Sequence, residues 1–242
     1  MLAGHRTGHP RRRGRGRVIG PYALACLDMA GTTVRDDGAV EAAFDEALAA
    51  VGVTEGTPRH DEAYRFVRET MGWSKADVFA ELLDPGEAER ATARFAAAYE
   101  AVVAAGQVEA MPGASDVLRG LRARGVQICL TTGFARSTRD ALLDALQWRA
   151  DIDLALSPAD VGRGRPAPDL ILGAMARLGV EDPGAVVVVG DTVSDLQAGS
   201  AAHAGSVVGV LTGAHDEATL TAAPHTAILP DITGLIGLLE RS

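Results

Sequence analysis

The chain has 242 residues but few cysteines, almost no lysine and few long apolar runs. Its two cysteines, Cys26 and Cys129, lie in apolar strand-like runs without metal-ligand spacing, so neither a disulfide framework nor a zinc site is indicated. After the amino-terminal region, no apolar run is long enough to span a membrane, and we expect no membrane partner. Lys75 is the only lysine, beside 22 arginines.

Charge is distributed unevenly along the chain. The formal net charge is −9, yet residues 1–20 hold six arginines and no acid, which leaves 17 basic and 32 acidic residues elsewhere. Such a basic run can bind nucleic acid. With its glycines, prolines and histidines it is more typical of a disordered tail, here residues 1–21, or of an upstream start codon. We therefore expect no nucleic-acid partner.

The apolar run 18–27 after these arginines also resembles a secretory signal. Cleavage there would remove the predicted strand that carries Asp28, so we expect a cytoplasmic location. The remaining composition, 47% hydrophobic and 23% charged, suffices for one substantial core or for a core with a smaller insert. The oligomeric state stays open, a homodimer included.

Short apolar runs alternate with helix-patterned segments over most of the chain. The runs cover residues 22–27, 126–130, 152–156, 186–189, 207–211 and 227–229. This alternation predicts an α/β fold with a doubly wound, Rossmann-like parallel sheet. Ligands of such sheets bind beyond the carboxyl ends of the strands.

An all-helical segment interrupts this pattern between the first two strands. Helical periodicity covers residues 39–51, 61–71, 75–83 and 87–105, and Pro112-Gly113 then precedes a helix over 114–124. We therefore predict a helical cap domain over residues 36–106, inserted into a core domain formed by residues 22–35 and 107–242.

Acidic residues follow two of the predicted strands. Asp28 ends the first run and precedes a tight turn, and Asp191 and Asp195 follow four consecutive valines. Each aspartate alone could cap a turn or a helix. Together, two carboxylates four residues apart beyond a buried strand suit a hard, oxygen-binding cation such as Mg²⁺.

Two further loops carry groups suited to phosphoryl oxygens. Thr131, Thr132 and Gly133 follow the second strand and offer hydroxyl and backbone donors. Arg165 lies in a glycine- and proline-rich loop ahead of a helix, where its guanidinium could balance negative charge.

In this order and spacing, these elements resemble the four motifs of the haloacid dehalogenase superfamily over residues 22–235. The resemblance implies that Asp28 is the nucleophile, that Asp28, the Ala30 carbonyl and Asp191 bind Mg²⁺, and that Asp195 supports the metal site. Thr131 and Thr132 fall on the second motif. Arg165 falls on the third, where most members have lysine.

Ala30 departs from the phosphatases of that superfamily. They carry a second aspartate there, as general acid and base. The phosphonatase branch, the phosphonoacetaldehyde hydrolases, has alanine, and it shares Thr-Thr-Gly, Gly-Arg-Pro and Gly-Asp-Thr-Val-Ser-Asp with this chain. The resemblance implies cleavage of a carbon–phosphorus bond in a small phosphonate.

Phosphonatases use a cap lysine that forms an imine with the aldehyde, and the matching element here is the segment 71–75. Lys75 can act in this way once burial and nearby cations lower its pKa, whereas an arginine cannot. Met71 and Trp73 are expected to line the substrate pocket. The alternative is that these residues have only structural roles. Lys75 would then be a solvated residue at the start of a helix, and Met71 and Trp73 would only pack the cap.

Two residues differ from the pattern of the phosphonatase branch, Val78 in place of a histidine and Phe134 in place of a tyrosine. The substrate could therefore be a phosphonate related to phosphonoacetaldehyde. One rival function is a phosphomonoester hydrolase that uses water or a residue such as His60 as its acid. Another is a domain that binds a phosphorylated ligand without turnover. The retained Asp28, Asp191 and Asp195 argue against the latter.

Overall fold

The computed structural model describes residues 22–35 and 37–241; the predicted basic tail lies outside the described residues. The described part is an α/β fold. Six parallel strands are β1 Leu24–Asp28, β2 Gln127–Thr131, β3 Leu154–Leu156, β4 Val186–Gly190, β5 Ser206–Val210 and β6 Ala227–Leu229. They form one sheet in the order β3-β2-β1-β4-β5-β6. The predicted doubly wound sheet is confirmed.

Ten α-helices connect and cover the described strands. They are α1 Ala39–Ala49, α2 Pro58–Glu69, α3 Lys75–Leu82, α4 Pro85–Ala104, α5 Ala114–Ala123, α6 Arg136–Ala145, α7 Asp169–Leu178, α8 Val193–Ala201, α9 Glu217–Thr221 and α10 Leu235–Leu239. Helices α2 and α4 begin earlier than their periodicity predicts. Each starts at a proline, which fits the first helical turn because that position needs no backbone donor.

The central strands are buried on both faces, as crossover helices require of a parallel sheet. Every residue of β1, β4 and β5 is buried. Cys26 and Cys129 lie opposite each other in the β1–β2 register, both as free, buried thiols. Burial raises the pKa of the Cys129 thiol, so the two cysteines serve as small core residues.

Helices α1 to α4 form the helical insert between β1 and β2. The two chain segments that enter and leave it run side by side, because the Arg35 amide donates to the Glu109 carbonyl at 2.9 Å and the Met111 amide donates to the Thr33 carbonyl at 2.8 Å. The predicted boundaries at residues 36 and 106 stay a prediction.

Aromatic rings pack the interior of the insert and continue onto the core. Phe44 lies 5.3 Å from Phe79 and 4.8 Å from Phe95, measured between ring centroids. Phe134, on the loop after β2, packs against Tyr99 of α4 at 4.6 Å. Phe134 also lies 6.0 Å from Phe95, so the insert and the loop after β2 share apolar ring contacts. Within the described ranges, no helix combines the length and apolar character needed to cross a bilayer.

Candidate active site

The strand order places Asp28 in the middle of the sheet edge. Strand β1 lies between β2 and β4, so Asp28 stands beside Thr131 in the β1–β2 register, and Asp191 directly follows β4 on the other side. The switch point of a doubly wound sheet is where ligands bind. Residues far apart in the chain meet there.

Three buried carboxylates meet at this point. Ligand atoms of Asp28, Asp191 and Asp195 all lie within 4.8 Å of one another. Burial raises the pKa of Asp28 well above its usual value; Arg165 opposes this, and the Asp195 and Asp191 carboxylates add to it. Burial, followed by the charge of Asp195, raises the pKa of Asp191 to about 6. A cation would relieve this repulsion, so the donor set fits a hard divalent metal such as Mg²⁺.

Arg165 supplies a positive charge beside the carboxylates. It is 5% exposed, its Nη1 lies 2.6 Å from Asp28 Oδ1, and it also pairs with Asp195. Burial alone would lower its pKa, but Asp195 and Asp28 outweigh burial and raise it, so the guanidinium stays charged. Its buried Nε has no hydrogen-bond partner within the part of the chain that the structure describes, which leaves a donor for an anionic ligand.

Asp191 is held on both carboxylate oxygens. Thr32 Oγ1 donates to Oδ1 at 2.9 Å, and the Ala214 amide donates to Oδ2 at 2.7 Å. Gly31 and Gly213 pack so closely against this carboxylate that neither has room for a Cβ. The loop after β5, which provides Ala214 and Gly213, was absent from the sequence prediction. Its only signal was a Thr-Gly pair at the end of a buried strand.

Asp195 both caps a helix and belongs to the carboxylate cluster. It closes a capping box at the start of α8, since the Thr192 amide donates to its Oδ2 at 3.1 Å and its own amide donates to Thr192 Oγ1 at 3.2 Å. Its other oxygen faces Arg165. The helix cap therefore orients the carboxylate toward the cluster.

A cavity of about 410 Å³ lies between the sheet edge and the insert. Its walls include Asp28, Ala30, Thr132, Gly133, Arg165 and Asp191 from the core, and Met71, Gly72 and Lys75 from the insert. Charged side chains of Arg35, Asp37 and Glu41 also line it. Most of the residues predicted from the motifs thus meet around one space.

Lys75 is the first residue of α3 and is 7% exposed, so the solvated alternative does not fit its position. Its Nζ lies 5.2 Å from the ring centroid of Phe44, 5.7 Å from that of Phe134 and 5.9 Å from that of Phe95. These rings come from α1, α4 and the loop after β2, and no local sequence signal linked them to Lys75.

The remaining predicted residues differ in their access to the cavity. Thr132 Oγ1 accepts a hydrogen bond from the Phe134 amide at 3.1 Å, which leaves its own proton to donate. Thr131 Oγ1 faces the Leu27 carbonyl at 3.5 Å, and Thr131 is not among the cavity-lining residues. Trp73 is also outside the lining, with its ring edge against Phe66.

His60, the alternative acid, lies away from the cavity. Its Nε2 faces Asp45 Oδ1 at 3.2 Å, and its ring stacks on Tyr64. Val78 is buried in α3. Neither position offers a proton donor to the carboxylate cluster.

Known proteins resemble this chain over most of its length. The haloacid dehalogenase-like hydrolase family matches residues 22–203. A phosphonoacetaldehyde hydrolase of Bacteroides fragilis is 34% identical over 234 residues, covering 89% of this chain and 86% of the relative. The probable phosphatase IndB of Dickeya dadantii is 31% identical, covering 88% and 92%.

Solved structures show the same architecture. A hydrolase from Pseudomonas syringae superposes with a TM-score of 0.79 at 26% identity, covering 90% of this chain and 98% of that one. The family match covers most of the chain, and the 34% identical relative covers 89% of it. The chain therefore belongs to the haloacid dehalogenase-like hydrolase family.

Proposed function

We propose that this hydrolase cleaves the carbon–phosphorus bond of phosphonoacetaldehyde or a related phosphonoaldehyde. The observation that carries the proposal is that the chain's single lysine lines the same cavity as Asp28. A C–P bond needs an electron sink at carbon, and an amine that can form an imine supplies one. The 34% identical phosphonoacetaldehyde hydrolase supports the same reaction class.

In the first step, the Lys75 amine condenses with the substrate aldehyde and releases water. With uptake of one proton the product is a protonated imine, whose C=N⁺ carbon is bonded to the carbon that carries phosphorus. An arginine could not take this step, because its guanidinium stays protonated and is a poor nucleophile.

In the second step, a carboxylate oxygen of Asp28 attacks phosphorus. The electron pair of the C–P bond moves to the imine, which gives a neutral enamine and an aspartyl phosphate. Protonation of the enamine carbon and addition of water then release acetaldehyde and the free lysine. A further water cleaves the aspartyl phosphate to inorganic phosphate and restores Asp28.

Other side chains prepare the phosphoryl group for this attack. Arg165 Nε and the Thr132 hydroxyl are donors for its oxygens. Mg²⁺, held by Asp28, Asp191 and the Ala30 carbonyl with support from Asp195, would neutralise charge on those oxygens when bound. Ala30 leaves no second aspartate beside Asp28, which suits a leaving carbon that the imine already activates.

A phosphomonoester hydrolase is the second candidate, and the 31% identical probable phosphatase favours it. Such a reaction needs a proton for the leaving alcohol. Because His60 lies outside the cavity lining, that proton would come from water or from a lining residue such as Glu41. A small-molecule substrate, a cytoplasmic location, the absence of nucleic-acid and membrane partners and an open oligomeric state, a homodimer included, stay predictions in either case.

The test combines phosphate release with chemical trapping. With Mg²⁺ present, the protein should release phosphate from phosphonoacetaldehyde faster than from common phosphomonoesters. Borohydride added during turnover should reduce the imine and leave an added mass on the peptide that contains Lys75. Phosphate release from esters alone, without any adduct, would establish the phosphatase instead.

A further inference from the structure

The proposed reaction requires two groups on different parts of the fold to act on opposite ends of one small molecule. Lys75 holds the aldehyde carbon from the insert, while Asp28 attacks phosphorus from the sheet edge. Misplacement by about 1 Å can cost about 100-fold in rate. The contacts that set the distance between Lys75 and Asp28 therefore matter as much as the two groups.

The segment 71–75, which we call the lysine turn, rests against the loop after β2. The carbonyl of Trp73 occupies the space where a Cβ on Gly133 would lie. The Lys75 amide donates a hydrogen bond to the Gly133 carbonyl at 3.1 Å. Only glycine at position 133 permits this approach, and the approach places the first residue of α3.

The lysine turn also contacts two other core loops. A Cβ on Gly164 would lie 3.0 Å from Ser74 Cβ and 3.2 Å from the Ser74 amide nitrogen. Ser194 Oγ donates a buried hydrogen bond to the Met71 carbonyl at 2.9 Å. Gly72, whose φ of +89° is in the left-handed region, turns the chain against Ser194.

We propose that Gly133, Gly164 and Ser194 are positioning residues that form a seat for the lysine turn. The inference rests on the proposed function. Each of the three is adjacent in sequence to a residue proposed for the chemistry, namely Thr132, Arg165 or Asp195. The loops that bind the phosphoryl group thereby also locate the lysine, which couples imine formation to attack at phosphorus.

Gly133→Ala tests the seat directly with phosphonoacetaldehyde and Mg²⁺. The added methyl group displaces the lysine turn, so we expect phosphate release to fall about 100-fold. Imine formation needs only the lysine and the aldehyde, and borohydride trapping at Lys75 should stay within about threefold of the wild-type yield. The trapped adduct should retain the phosphonate group, whereas the wild-type adduct should have lost it.

Gly205→Ala is the matched control. The Gly184 carbonyl lies where a Cβ on Gly205 would be, so the added methyl group clashes with a backbone carbonyl, as in Gly133→Ala. Neither Gly205 nor Gly184 lines the cavity. This variant should lose thermal stability as Gly133→Ala does, yet its folded fraction should release phosphate normally. Ser194→Ala adds no bulk and should slow phosphate release about tenfold, again with trapping preserved.

The outcomes separate the seat from the proposed function. Near wild-type phosphate release in Gly133→Ala and Ser194→Ala would overturn the seat while the C–P reaction stands. A parallel loss of trapping and phosphate release in Gly133→Ala, matched by Gly205→Ala, would overturn it too. A wild-type protein that gives neither an adduct nor phosphate from phosphonoacetaldehyde would overturn the proposed function itself.

Discussion

The sheet edge and the lysine turn hold their reactive groups by different means. At the sheet edge, strand order and hydrogen bonds converge on charged groups, as with the two donors that hold Asp191. At the lysine turn, close backbone packing and aromatic rings surround one amine. The first arrangement is built within the core sheet and its loops. The second depends on how the insert rests on the core, and in the proposed function it is the part that selects the reaction.

Replacing Asp28, the proposed nucleophile, changes the sheet edge and leaves the lysine turn intact. This substitution should have the largest effect on phosphate release. Asp28→Asn keeps the shape of the side chain but removes the attacking oxygen charge, so phosphate release should fall by about 10⁴-fold or more. The imine should still form at Lys75. Mass spectrometry after borohydride should then find an adduct that retains the phosphonate. Phosphate release near the wild-type rate would contradict the role of Asp28.

Replacing Lys75 removes the amine of the lysine turn and leaves the sheet edge intact. Lys75→Arg keeps a positive charge beside the same rings but cannot form an imine, so turnover of phosphonoacetaldehyde should fall by about 10³-fold or more. Mg²⁺ binding, followed by calorimetry, should be unchanged because it belongs to the sheet edge. If C–P cleavage persisted in this variant, the imine mechanism would be wrong.

Metal binding tests the sheet edge without using activity. Three buried carboxylates repel one another, so Mg²⁺ at about 100 times its dissociation constant should stabilise the folded protein by about 2.7 kcal/mol. Chemical denaturation with and without the ion measures this difference. Asp191→Asn should abolish it. An equal stabilisation in the variant would show that the ion binds elsewhere.

A smaller effect should follow from loosening one holder of Asp191. Thr32→Val removes the hydrogen bond to Oδ1 with little change in volume, and Mg²⁺ affinity should weaken about tenfold. Thr138→Val is the control, because Thr138 is equally buried but bonds to Glu100 at the contact between α6 and α4. Titration calorimetry on both should separate them; equal affinities would remove Thr32 from the metal site.

Much of the fold was predictable because its periodicity is local. The predicted run 227–229 coincides with β6, and the helix predicted from Ala39 begins there. The helix starts at Pro58 and Pro85 were not predicted because they precede the apolar pattern. They depend on the preference of proline for the first helical turn. At the site, the clustering of the aspartates was predictable from their positions after strands, because the carboxyl ends of parallel strands lie at the same edge of a sheet.

Contacts between distant segments were beyond the reach of a local pattern. Ala214 bonds to Asp191, and Gly133 meets Trp73, through closeness that only the folded chain creates. Phe44 and Phe95 similarly reach Lys75 from separate helices. The packed insert also keeps two residues out of the cavity lining. His60 lies against Asp45 and Trp73 against Phe66, and neither contact can be read from the sequence.

The amino-acid sequence by itself determined which chemical groups this protein has: the Asp28 carboxylate followed two residues later by Ala30, the further aspartates Asp191 and Asp195, and a single lysine amine. Residue types and spacing along the chain contain that information directly. Only the tertiary structure decided that Lys75 is buried, faces three rings and shares a cavity with Asp28. The physical reason is that these contacts arise from packing the insert on the sheet edge, across separations in sequence that no local pattern encodes.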